Sequence, residues 1–287
     1  MDLGADMIER KLTGADLATA LPKGAIDTQM HLYACGFGAA AGCSMPLDPL
    51  PDAAAYAQVR RWLGIDRFVI TQGNSHGRDN GNLIACLGES GSISRGIAAV
   101  GGDAPEAEIV RLSAAGVVGA RIMDLPGGAV GFDEIGAVDA RCLDANWAMV
   151  VQMDGGRLLD RMPALKAIKS DWVFDHHGKF FDGVSEAQID AVLRLIDRGN
   201  CYFKFAACYE SSKEGWPYAD IARVARRVAE YAPERVIWGT NWPHNQAKTA
   251  VEYPDDGALA DLVLEWLGDA AREQVLVTTP ARLYRFE

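Results

Sequence analysis

The chain has 287 residues, 49% hydrophobic and 23% charged, enough to bury one large core and near the upper end of single-domain size. Its 28 Lys and Arg against 39 Asp and Glu give a net charge of -11, which argues against nucleic-acid or anionic-membrane partners, since both need clustered basic residues. No run of about 18 apolar residues offers a membrane span, and Asp2, Asp6, Glu9 and Asp16 stand where a signal peptide is basic and then apolar, so a cytoplasmic location is expected.

Residues 1–23 read as an N-terminal tail and 24–287 as one domain. From there apolar, β-rich runs recur at Ala25 to Met30, Arg67 to Thr71, Gly96 to Val100, Val117 to Met123, Trp147 to Met153, Trp172 to Asp175, Tyr202 to Ala206 and Arg235 to Thr240. Helix-like stretches of period near 3.6 lie between them: Asp52 to Leu63, Ala104 to Ala115, Asp133 to Ala145, Leu158 to Lys169, Ser185 to Arg198, Pro217 to Tyr231 and Leu259 to Glu265. Runs such as Trp147 to Val151 lack polar alternation, as parallel strands covered on their outer face do. Strict β/α alternation in this length predicts a (β/α)8 barrel, and no Gly-rich phosphate turn follows the first strand to suggest an open doubly wound sheet. Cys35, Cys43, Cys86, Cys142, Cys201 and Cys208 are scattered without a CxxC pair or zinc spacing, and read as mostly buried thiols.

Barrel enzymes carry their chemistry at the carboxyl ends of the strands. Here those ends hold Gln29 and His31, then Asn74 and His76, Arg121, Gln152 and Asp154, Asp175 with His176 and His177, Lys204, and Asn241 with His244. Tyr209, with Glu210 and Ser211, follows the seventh strand. Lys204 alternates with Phe203 and Phe205, so it points either into the barrel or out between the helices, and inward is expected because an isolated outward ammonium would be poorly solvated there. Asp154 shares the parity of Gln152, yet it also stands where a helix cap would sit, before Gly155 and Gly156.

Seven segments, AIDTQMH, WLGIDRFVITQGN, GARIMDLPGGAV, WVFDHHGKFF, KFAACYESS, WPYAD and VIWGTNWPHN, resemble in order those of the amidohydrolase superfamily, in the branch of 2-pyrone-4,6-dicarboxylate lactonase. The resemblance covers nearly all of the chain after the tail and implies a distorted (β/α)8 barrel acting on a sugar-acid or dicarboxylate lactone. Metal-dependent members carry His-x-His after the first strand and an Asp after the eighth; here these positions are Gln29, His31 and Asn241. Amides are poor ligands for a borderline cation, so no metal or other cofactor is expected. Asn241 also cannot take a proton from water, which disfavours hydrolysis.

The activity the resemblance implies is isomerisation of D-galactaro-1,5-lactone to D-galactaro-1,4-lactone in oxidative galacturonate breakdown, the attacking group being a hydroxyl of the substrate. A lactonase is the alternative, and a non-catalytic sugar-acid binding protein a third. In the first reading His31, His176 and Asn241 are catalytic: His176 or His31 moves the proton, while Asn241, Gln29 and Gln152 offer amide donors to the oxyanion. Arg121 is expected to pair with the free carboxylate, and Asn74, His76, Asp154, Lys204 and Tyr209 to line the substrate site. His177, beside His176, is expected in the core.

Overall fold

The computed structural model describes residues 7–286. Eight parallel strands follow one another in chain order around the sheet: β1 (Ile26–Met30), β2 (Arg67–Thr71), β3 (Ser94–Ala98), β4 (Val117–Asp124), β5 (Ala148–Met153), β6 (Trp172–Phe174), β7 (Cys201–Phe205) and β8 (Val236–Trp238). Each is followed by a helix on the outer face: α1 (Ala53–Leu63), α2 (Gly81–Ser90), α3 (Glu106–Ala114), α4 (Ile135–Ala145), α5 (Leu158–Ala167), α6 (Glu186–Ile196), α7 (Ala219–Tyr231) and α8 (Asp256–Leu267). This is the expected (β/α)8 barrel. The eight expected strands are all present, with ends shifted by a residue or two.

Of these eight helices, α2 is the one the sequence reading lacks. Its ten residues include Gly81, Asn82 and Gly88, poor helix formers that mask the apolar stripe of Leu83, Cys86 and Leu87. Burial of that stripe against the barrel outweighs the weak propensity. The other helices start where the side chains dictate: Asp52 caps α1 through the Ala55 N–H, and Ser185 forms a capping box with Gln188 on α6.

Closure brings the first and last strands together. Thr28 Oγ1 donates to Trp238 O at 2.7 Å, the Asn241 N–H to Gln29 O at 2.7 Å and the His31 N–H to Trp242 O at 2.8 Å. Buried Asp27 accepts from Tyr56 OH, the Thr240 N–H and Thr240 Oγ1 at 2.6 to 3.0 Å, clasping β1 to the segment after β8. Gly239 permits this approach, because a Cβ there would lie 2.5 Å from Gln29 N. Inside, Ile26, Val69, Ile97, Val150, Val173, Tyr202 and Ile237 form an apolar plug toward the amino ends of the strands, sealed by Leu283 and Tyr284 of the C-terminal segment. The opposite end is left to polar side chains. Residues 8–21, expected as part of a tail, lie against this body: Ile8 is buried and bonded to Asp48 O, and Leu12, Leu17 and Leu21 pack on the core.

Candidate active site

A cavity of about 310 Å³ opens at the carboxyl ends of the strands. It is lined by Gln29 of β1, His31 and Tyr33 after it, Cys43 to Pro46 of the following loop, Asn74 and Ser75 after β2, Arg121 and Met123 of β4, Gln152 of β5, His176, Glu210, Asn241, Asn245, Gln246 and Lys248. His176, Asn241 and His244 all take positive φ (51°, 64° and 55°), a conformation rare for side chains with a Cβ and concentrated at this end of the barrel.

The floor is built around a buried ammonium. Lys204 is fully buried and points inward, as expected, but it does not line the cavity. Its Nζ donates to Gln29 Oε1 at 2.8 Å and lies 3.1 Å from Asp175 Oδ1. Thr71 Oγ1 also donates to Gln29 Oε1, at 3.2 Å. An ammonium can only donate, so the Gln29 oxygen faces down and Nε2 is left at the cavity floor without a protein partner. Burial acts against the Asp175 charge, but His176, Lys204 and Arg121 together hold this carboxyl well below the usual range.

The two cavity histidines differ. His31 Nδ1 is 2.8 Å from Thr71 O, and a carbonyl can only accept, so Nδ1 carries the hydrogen and Nε2 keeps its lone pair. Burial, then the charge of Arg121, pushes the His31 imidazole down to about 4, so it is neutral at pH 7. His176 Nε2 lies 3.1 Å from Asn241 Oδ1, while Nδ1 lies 3.0 Å from Asp175 Oδ1, in ion-pair range but outside hydrogen-bond alignment.

Asn241 corrects one expectation. Its Nδ2 donates to Tyr209 OH at 2.9 Å and to Glu210 Oε1 at 3.0 Å, so both amide hydrogens are engaged and none is free for an oxyanion. Asn241 therefore orients His176, and the free amide donors are Gln29 Nε2 and Gln152 Nε2. Gln152 accepts from Arg121 Nη2 through Oε1 at 2.8 Å, which turns its own nitrogen outward. Arg121 is buried, held also by Gln72 O, and has no carboxylate within ion-pair distance among the described residues. Asp124, three residues further along β4, pairs with Arg161. A buried guanidinium without a counter-ion is a site for an anion.

Asn74 reaches the cavity as expected. Three other expected contacts do not. Asp154 Oδ1 accepts from the Gly156 N–H at 2.8 Å, capping the turn into α5, and the residue does not line the cavity. His76 turns away from the cavity, its Nδ1 3.0 Å from Gly38 O, and holds the loop after β1 instead. Tyr209 stands behind Asn241, its hydroxyl 2.7 Å from His244 Nδ1. His177 lies in the core as expected, stacked on Phe205 with centroids 5.0 Å apart. The sequence reading missed Lys179, which pairs with Glu210 and keeps that buried carboxyl ionised against the cost of burial. Lys179 sits in a turn three residues after His176, and only the fold carries it to β7. Tyr33 and Asn245, bonded to each other at 2.8 Å across the cavity wall, were also missed.

These donors suit a divalent ion poorly. Gln29 gives its oxygen to Lys204, Asn241 gives its own to His176, and among the described residues no three His, Cys, Asp or Glu gather as a metal cluster. The Lys204 ammonium already supplies the positive charge at this corner.

The fold and site define a barrel enzyme whose reaction centre lies at the carboxyl ends of its strands. The profile of the family described as Amidohydrolase matches residues 26–286, and the chain belongs to that family. It is 51% identical over 280 residues to D-galactarolactone isomerase of Agrobacterium fabrum (strain C58 / ATCC 33970), covering 96% of each chain. It is 30% identical to 2-pyrone-4,6-dicarboxylate hydrolase of Comamonas testosteroni, over 92% of this chain and 91% of that one. An apo crystal structure of an Agrobacterium tumefaciens protein superposes with a TM-score of 0.94 at 51% identity, covering 96% of this chain and 99% of the other. Among the described residues no helix is long and apolar enough to cross a membrane.

Proposed function

We propose that this chain is a cytoplasmic D-galactarolactone isomerase, converting D-galactaro-1,5-lactone to D-galactaro-1,4-lactone in oxidative galacturonate breakdown, without a metal ion. The observation that carries the reading is Asn241. At the position where a water-activating carboxylate would stand, it is an amide with both hydrogens engaged and its oxygen given to His176. Such a group activates no water, which supports a hydroxyl of the substrate as the nucleophile.

In this reading Arg121 binds the free carboxylate of the lactone. The C4 hydroxyl attacks the C1 carbonyl carbon, and its proton passes to the lone pair of His31 Nε2. The carbonyl oxygen becomes an oxyanion that receives hydrogen bonds from Gln29 Nε2 and Gln152 Nε2. On collapse the bond from C1 to the C5 oxygen breaks, and His31 returns the proton to that oxygen. Bonds and protons balance with no water consumed, and proximity within one substrate supplies much of the rate.

Proton NMR of freshly generated 1,5-lactone with chelator-treated enzyme tests this. The 1,4-lactone is expected before any open galactarate; direct appearance of galactarate would establish the hydrolytic alternative, and an unchanged spectrum would remove the substrate assignment.

A further inference from the structure

Behind Asn241 runs a chain of buried polar groups drawn from three separate elements. Tyr209 follows β7, His244 follows β8, and Asp256 is the first residue of α8. The Asn241 nitrogen lies 2.9 Å from the Tyr209 oxygen, that oxygen 2.7 Å from His244 Nδ1, and His244 Nε2 3.0 Å from Asp256 Oδ1.

The directions follow from the Glu210 end when the His244 ring carries a single proton. Glu210, ionised beside Lys179, can only accept, so the amide nitrogen of Asn241 faces it. The second amide hydrogen goes to the Tyr209 oxygen, whose own proton must then go to His244 Nδ1. That leaves His244 to donate from Nε2 to Asp256. At the other end the Asn241 oxygen faces His176 Nε2 at 3.1 Å, so that nitrogen carries a hydrogen. A flipped amide would set its oxygen against the Glu210 carboxylate.

We propose that Tyr209, His244 and Asp256 are positioning residues that, with Glu210, lock the amide of Asn241 and through it the hydrogen on Nε2 of His176. None of the three lines the cavity. Their effect on turnover is to keep His176 a donor at Nε2 and leave His31 the one neutral base. That consequence rests on the isomerase reading; the hydrogen-bond polarity does not.

The test uses the full chain labelled with nitrogen-15, reading histidine tautomers by long-range proton–nitrogen correlation without substrate, His176 being assigned by its loss in His176→Asn. The wild type is expected to show the Nε2–H form. In His244→Leu the His176 Nε2–H signal is expected to shift from its wild-type position, and kcat to fall roughly tenfold, the size of one orienting hydrogen bond, with KM within about twofold. His244→Gln, whose oxygen can accept from Tyr209 while its nitrogen donates to Asp256, is expected to restore both. Tyr209→Phe, which removes only the hydroxyl, gives the same reading should the Leu variant not fold. Unmoved His176 signals in these variants, or equal loss in His244→Gln and His244→Leu, would overturn the proposal. Expected nitrogen signals in an enzyme that does not turn over the lactone would overturn the isomerase reading and leave the chain standing.

Discussion

The Lys204 ammonium donates to Gln29 Oε1 at 2.8 Å from a fully buried position, and this bond decides which end of the Gln29 amide meets the substrate. Gln29→Glu replaces the free Nε2 donor with an acceptor that pairs with Lys204. The expected result is a kcat lower by about 100-fold with KM little changed, as for loss of one oxyanion donor. Steady-state kinetics on the 1,5-lactone checks it; an unchanged kcat would remove Gln29 from the oxyanion site.

Lys204→Met tests the other half of the pair. It leaves Asp175 buried with its nearest fixed cation gone, and breaking a buried pair costs about 3–5 kcal/mol. Denaturant unfolding is expected to show a loss of that order, and a loss under about 1 kcal/mol would mean that His176 and Arg121 carry the Asp175 charge without it.

Arg121 is expected to act through its forked geometry as well as its charge. Arg121→Lys keeps a cation but loses the bonds to Gln72 O and Gln152, so kcat/KM is expected to fall by about 10-fold or more, and Arg121→Gln further still. A lactone lacking the free carboxylate is expected to lose its dependence on Arg121. Equal losses on both substrates would place the guanidinium elsewhere than on the carboxylate.

His31 sets the acid limit. Its folded value of about 4 lies below the ordinary value for histidine, as does that of His177, which burial pushes down to about 3. At these two sites the unfolded chain binds more protons between those values and about 6.5, so their contribution is present above that window and is lost as pH falls through it. Asp27, which burial pushes up to about 6, acts in the opposite sense. The activity limb assigned to His31 is expected near pH 4, and kcat/KM in His31→Gln is expected to fall about 100-fold. A wild-type limb near 6.5 that His31→Gln abolishes would show the imidazole to be unperturbed.

Asp154→Ala separates capping from binding. Loss of the bond to the Gly156 N–H is expected to cost about 1 kcal/mol of stability, with KM unchanged. A raised KM would return Asp154 to the substrate site.

Much of this protein was legible in one dimension. The eight apolar runs, the helix starts at Asp52 and Ser185 and the inward direction of Lys204 follow from side-chain chemistry acting over a few residues, where period, propensity and solvation decide. The residues at the strand ends were legible for the same reason, since barrel topology brings them to one mouth wherever they lie in the chain. The weak helix α2 was not, because burial rather than propensity forms it. Nor were the partners that give each polar group its role. Asn241 and Tyr209 look like substrate ligands until Glu210 and His244 are seen to use up their hydrogens, and Glu210 looks ordinary until Lys179 arrives from another turn. Residue type is a property of the chain, but the direction of a buried hydrogen bond depends on neighbours that only folding brings within 3 Å or so.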